Sequence, residues 1–319
     1  MSLRSILALA TRLALAGAVF LSVAPAPASA QVSAEEATAY ASWQAASTAD
    51  VAKATELAQA YLKQFPTGQY ADYLKKWLGQ GQVAALDAAI KEKRTADMLK
   101  AGNELLANDP ENLNVVYAMA SAIRAEMLAR PPVYTNAAAG VDLAKKGISL
   151  VESGKTLAGV QSFDKNATLA WMTQMLALNE QKAGNAEAAI PLFEKSTGYA
   201  PKDKAIAAPN LFAVFNTHYA GYVEAAKAFN AIPEAERGAA EPTPAVKAAR
   251  EKLNAEADDV IDVAARFVAF GKANGLPAAT VDKVNQTLES VYKTRFPEDT
   301  ALAGLQKILQ EKAAAAGGA

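Results

Sequence analysis

Near each end of this chain a helix stops in the same way, and that recurrence constrains the fold more than any other feature. Residues 61–78 open with Tyr61-Leu-Lys-Gln-Phe65-Pro66 and continue to Leu74 and Leu78. Residues 292–309 open with Tyr292-Lys-Thr-Arg-Phe296-Pro297 and continue to Leu305 and Leu309 at the same offsets. In both, an amphipathic stretch halts at Phe-Pro, because the residue before a proline is pushed out of the α region. A second helix is expected to follow at once. A third stretch, Gly184 to Pro201, carries a related pattern. The expected architecture is a succession of helix–turn–helix units.

Composition points the same way. Hydrophobic residues make up 51% of the chain but aromatics only 7%, because alanine supplies much of the apolar total. Alanine is the strongest helix former and lets helices approach closely. Runs of alternating β-branched residues, the mark of a strand, are nearly absent. The expected fold class is all-α.

Periodicity places helices over about 33–47, 50–65, 69–78, 82–91, 94–108, 112–129 and 136–152. Further helices fall over about 166–183, 185–198, 208–218 and 221–231, after a Gly- and Ser-rich loop at 153–164. Asp50 is placed as an N-cap, and Val51, Ala54, Leu57, Ala58, Tyr61, Leu62 and Phe65 share one face of the helix behind it. Gly79 and Gly81 are read as a break, and Asn108 to Asn112 as a turn with N-cap duty. Residues 31–232 form the helical array, and 233–244, with three prolines, the linker. Residues 245–319 hold a long helix at 245–273, two helices at 278–295 and 298–313, and a disordered Ala-Gly tail. Val246, Leu253, Val260 and Phe267 recur every seventh residue, so the long helix either packs on its predecessors or offers a seam for oligomerisation.

Residues 1–30 have the form of a cleaved leader. Arg4 and Arg12 precede or flank an apolar run from Leu13 to Ala24, and Ala28-Ser29-Ala30 offers small residues for cleavage before Gln31. The run is shorter than the roughly 20 residues a membrane span requires. A periplasmic or secreted bacterial protein without a stable membrane span is expected. The chain holds no cysteine, so neither a lipid at the cleavage site nor a disulfide is available. Lys and Arg number 32 against 33 Asp and Glu; without Arg4 and Arg12 the balance is 30 to 33, or −3. That near-neutral surface argues against a nucleic-acid partner, which calls for a basic stripe.

Residues with chemical potential are few. His218 is the only histidine, and with no cysteine or second histidine no zinc set of the usual kind is legible. It reads as a helix-end or interface residue. Asp258 and Asp262 share a helix face, with Asp259 beside them and Glu251 two turns back. They fit a hard-cation or acid/base pair, or a solvated face. No phosphate loop, dinucleotide-binding glycine motif or nucleophile elbow occurs. No catalytic, cofactor-binding or metal-binding set is expected, and no cofactor.

Residues 170–201 resemble a tetratricopeptide repeat, a unit of about 34 residues built from two antiparallel helices. With Pro201 as the closing proline, Ala177 and Ala189 fall on the small positions, Phe193 on the aromatic position and Gly184-Asn185 on the turn. Thr173 stands where the repeat has tryptophan, and Ala177 follows Leu176 where it has glycine. A unit over 79–110 is more degenerate, with Met98 on a small position and Gly102 on the aromatic one; another around Gly221 and Phe229 is one residue out of step. Residues 51–78 are also similar to envelope proteins of this class, with Gly68 in place of the usual serine.

The resemblance implies a stacked α-solenoid whose concave wall comes from the first helix of each repeat. Carried over by position, that wall holds Asn114, Tyr117, Ser121 and Arg124 in one unit, and Trp171, Gln174, Leu178 and Gln181 in the next. Tyr117 and Trp171 are either hot-spot anchors or inter-helix packing residues. Gln174 and Leu178 occupy positions where a carboxylate clamp has Lys and Asn. The expected function is a non-enzymatic scaffold or adaptor for a protein or peptide in the cell envelope. Two other classes stay open: a hydrolase or glycan-acting enzyme using the carboxylates around Asp258 and Asp262, and a small-molecule-binding helical domain.

Overall fold

Side chains that accept the free amides of a first turn decide where many of these helices begin. In the computed structural model, which describes residues 32–318, α1 (Ala34–Ser47) starts behind Ser33, whose hydroxyl accepts from Glu36 N. Asp50 does the same for α2 (Val51–Gln64), accepting from Lys53 N at 3.0 Å as its spacing predicts. Next come α3 (Ala71–Lys91) and α4 (Thr95–Asn108), then α5 (Leu113–Met127) capped by Asn112. After α6 (Ala137–Glu152), Asp164 caps α7 (Lys165–Lys182), and α8 (Ala186–Tyr199) follows. Asp203 caps α9 (Lys204–Asn230); the single turn α10 (Glu234–Arg237) leads to α11 (Pro244–Asn274), capped by Thr243. The chain closes with α12 (Ala278–Arg295) and α13 (Ala303–Gly318).

The fold is all-α, with 13 helices among the described residues, and successive helices pack as antiparallel-like pairs consistent with a helical-repeat stack. The chain divides into two compact units. The first runs to Ala129 and takes in Leu157–Phe163; in it α1 packs on α2, α2 on α3, α3 on α4 and α4 on α5. One of its cores gathers Trp43, Ala54, Ala58, Tyr61, Ala71 and Leu74. The second holds Arg130–Thr156 and Asp164 onward, pairing α6 with α7, α7 with α8, α8 with α9, α9 with α11, and α11 with both α12 and α13.

Several boundaries differ from the sequence reading, among them the start of α13 at Ala303 instead of 298. Gly79 and Gly81 do not break a helix: α3 runs through both, anchored by buried Leu74 on one side and Leu86 and Ala89 on the other. Packing at both ends offsets the roughly 1 kcal/mol that each glycine costs a helix relative to alanine. Residues 208–218 and 221–231 likewise form one helix, α9, which starts at Lys204 behind the turn that holds Pro201. The Ala-Gly tail continues α13 to Gly318 rather than being disordered. Val51, placed on the buried face of α2, is 65% exposed.

The long helix packs within its own unit, most heavily along its C-terminal half. Val246, Val260 and Phe267 are buried, and so is nearly everything from Val260 to Gly271, under α9, α12 and α13. The stripe read as a possible oligomer seam is covered by the same chain along this length, with Leu253 half-buried. The proline-rich stretch before it joins two helices of one unit. Arg237 Nη1 donates to Asn230 Oδ1 at 3.1 Å, and Arg250 Nη2 donates to the Arg237 carbonyl at 2.8 Å. Both guanidinium groups lie over the ring of Phe229. Residues 1–30, expected to be a leader with its cleavage site at Ala28 and Ala30, fall outside the described residues. No helix among the described residues is long and apolar enough to cross a membrane.

Candidate functional site

Residues 170–201 form a helix pair whose crossing is filled by small and aromatic side chains. Ala177 on α7 and Ala189 on α8 are fully buried where the helices cross, and Phe193 fills the gap toward α9. Gly184 takes φ +87° in the turn, where a glycine alone is unstrained. At Gly102 the methionine of the next helix enters: a β-carbon there would collide with the Met119 side chain.

The two predicted wall segments lie in different units and have different environments. On α7, Trp171 and Gln174 are withdrawn from solvent, at 8% and 1% exposure, so neither lines an open surface. The Gln174 amide donates to Asn210 Oδ1 at 2.8 Å. Asn210 Nδ2 donates in turn to Ser196 Oγ at 2.8 Å, and Ser196 Oγ donates to the Ala170 carbonyl at 2.7 Å. This chain of buried polar groups ties α7, α8 and α9 together, and its members satisfy one another as burial demands. Leu178 packs against the core and Gln181 is exposed.

On α5 the picture is more open. Asn114 is exposed, and Tyr117, Ser121 and Arg124 are half-buried, at the three- and four-residue spacing that sets them on one face. Asn114 grips a backbone: Nδ2 donates to the Ala158 carbonyl at 3.2 Å, and Oδ1 accepts from Ala158 N at 2.9 Å. One amide side chain thereby reads both polar groups of one residue. The gripped segment is a turn, with Val160 N bonded to the Leu157 carbonyl, Gly159 at φ +77° and Leu157 buried.

The carboxylates of α11 sort into two groups. Asp258 is held by Arg295 through two bonds of 2.9 and 3.2 Å, and Asp262 by Lys312 at 2.6 Å and Arg266 at 3.5 Å. These pairs anchor α12 and α13 to α11; the pair singled out as acid/base candidates is occupied by fixed cations. The others face α9. His218 Nδ1 lies 3.7 Å from Asp259 Oδ2, and the ligand atoms of His218, Glu256 and Asp259 all fall within 4.8 Å of one another. His218 therefore has the partners that sequence reading denied it, from a helix about 40 positions away. No local pattern signals that juxtaposition.

Sequence reading also passed over an aromatic cluster on α1 and α3. Tyr40 stacks on Tyr70 at 3.8 Å, and Trp43 meets Tyr73 and Trp77 edge-on at 5.6 and 5.4 Å. Burial and the neighbouring phenols Tyr73 and Tyr70 push the Tyr40 hydroxyl up from its usual range. The signal was present, since Tyr70, Tyr73 and Trp77 recur at three- and four-residue spacing. Comparison with protein-family models, with curated proteins and with solved structures gives no match in any of the three.

Proposed function

We propose that this chain is an exported, non-catalytic helical scaffold of the tetratricopeptide type, holding a protein or peptide partner on the α5 face. The observation that carries the reading is the Asn114 clasp. The clasp holds the chain's own Leu157–Val160 turn against this face, a backbone segment seated where a partner segment would extend the contact. Tyr117, Ser121 and Arg124 extend the same face with one aromatic, one hydroxyl and one guanidinium, the mixture that supplies anchors and orientation at protein interfaces. The leader-like residues 1–30, the paired helices and the buried Ala177, Ala189 and Phe193 are consistent with that class. Carboxylates locked in ion pairs at Asp258 and Asp262 favour it over the hydrolase alternative.

The test is site-specific photo-crosslinking in cells of the source type. A photoreactive residue at Ser121 is expected to give discrete protein adducts that Asn114→Ala and Tyr117→Ala reduce. The same probe at exposed Lys283, on α12, is expected to give none of them. No adduct at Ser121, or identical adducts at both positions, overturns the proposal.

A further inference from the structure

We propose that His218, Glu256 and Asp259 form a binding site for one divalent transition-metal ion, bridging α9 and α11. The proposal is independent of the partner reading. Its donors come from two helices that pack on each other: the only histidine of the chain on α9, and two carboxylates three residues apart, hence on one face, of α11.

The distances suit an ion better than a hydrogen bond. At 3.7 Å, His218 Nδ1 and Asp259 Oδ2 are too far apart for a direct hydrogen bond. Zinc holds nitrogen and oxygen ligands at about 2.0–2.2 Å in tetrahedral geometry, so two ligands of one ion stand roughly 3.3–3.6 Å apart. The observed 3.7 Å lies close to that interval, and Glu256 stands within 4.8 Å of both, so small side-chain movements bring the three donors onto one ion.

Charge supplies a second, separate argument. Asp258 and Asp262 on the same helix each have a fixed cation from Arg295, Arg266 or Lys312. Glu256 has no hydrogen-bond or ion-pair partner among the described residues, and Asp259 has only His218. With the imidazole neutral, the three groups carry two negative charges, the balance a divalent ion neutralises.

Gly221 supplies a third. It lies three residues after His218 on the same face of α9, and a β-carbon there would sit 2.5 Å from Glu256 Oε2. Glycine is a poor mid-helix residue; here its missing side chain lets the carboxylate lie against the α9 backbone, beside the imidazole. One imidazole nitrogen and two carboxylate oxygens favour borderline ions such as Zn2+ over Mg2+ or Ca2+, which take all-oxygen shells. Three protein ligands leave room for water, and a bound ion would fasten α9 to α11.

The experiment titrates chelator-treated full-length protein with Zn2+ at neutral pH, by calorimetry and by the imidazole ring-proton resonance. A single histidine makes that resonance unambiguous. One Zn2+ per chain is expected, with the imidazole signal reaching its bound position at one equivalent. Removing a ligand should cost at least what removing an outer-shell partner does, about 10–100-fold in affinity. His218→Ala and Glu256→Gln are each expected to show such a loss, and Asp262→Asn to retain wild-type affinity; circular dichroism checks that each variant is folded. No binding, or binding that leaves the imidazole signal stationary and is unchanged in Glu256→Gln, overturns the proposal.

Discussion

The two Phe-Pro junctions, at 61–74 and 292–305, share their words and their backbone but not the group that secures them. Phe65 sits at φ −128°, ψ 65° and Phe296 at φ −130°, ψ 67°. Phe65 N bonds the Tyr61 carbonyl at 2.7 Å and Phe296 N the Tyr292 carbonyl at 2.8 Å. In both, the tyrosine ring leans on the phenylalanine, with centroids 5.3 and 4.9 Å apart. Leu74 and Leu305, thirteen residues after each tyrosine, are both buried.

The difference lies in the carboxylate that answers the tyrosine hydroxyl. At the first junction it is Glu36, 25 residues earlier on α1, buried, receiving the Tyr61 hydroxyl and Gln69 N at 2.6 Å. Ser33 and Glu36 have capping-box spacing, but the glutamate turns inward to the junction. At the second it is Asp299, seven residues on and within the turn itself. It receives Tyr292 at 2.9 Å, Gly304 N at 2.8 Å and Ala303 N at 3.0 Å. The same turn is thus a tertiary clasp in one place and a local cap in the other.

That contrast sets the order of expected effects. Glu36→Ala strips the buried acceptor from two donors and should cost about 2–3 kcal/mol, read as a lower urea midpoint for the first unit. An unchanged midpoint would mean that α1 does not secure the junction. Tyr61→Phe removes one donor and should cost about 1–2 kcal/mol, more than Tyr292→Phe, whose partner stays bonded to two amides. Equal losses would erase the distinction.

Titration separates the junctions further. Burial, and then the bond to Glu36, push the Tyr61 phenol up to about 12 from 10.0. A phenol whose folded pKa is raised keeps its contribution below pH 10 and loses it as pH climbs through about 12. Phenolate absorbance should therefore show one tyrosine ionising near the alkaline unfolding limit, absent from Tyr61→Phe. Asp299 behaves in the opposite sense. Gly304 N, then the Tyr292 hydroxyl, hold its carboxyl below the usual range. Its contribution is present above the unfolded carboxylate pKa of about 3.9 and is lost as pH falls through the lower folded value. Asp299→Asn should flatten the acid limb slightly, the smallest effect of the set.

Much of the first-order structure was legible. Asp50 and Asn112 cap as their spacing implies, and Gly184 turns where the helix pair demands it. Positions dependent on neighbours were not. Gly79 and Gly81 look like breaks until Leu74 and Leu86 are seen anchored on either side. Trp171 and Gln174 look like a binding wall until α7 is placed against its neighbours, because periodicity names a helix face without saying which other helix covers it.

By itself, the order of residues determined where most helices start and stop, and that Phe-Pro ends two of them identically. Those outcomes depend on backbone sterics and on hydrogen bonds that reach three or four residues. Only the tertiary structure decided which carboxylate answers each tyrosine, which acids of α11 are neutralised, and that His218 faces Glu256 and Asp259. Such pairings join residues tens of positions apart. They arise only when apolar faces have buried one another and carried the polar groups along.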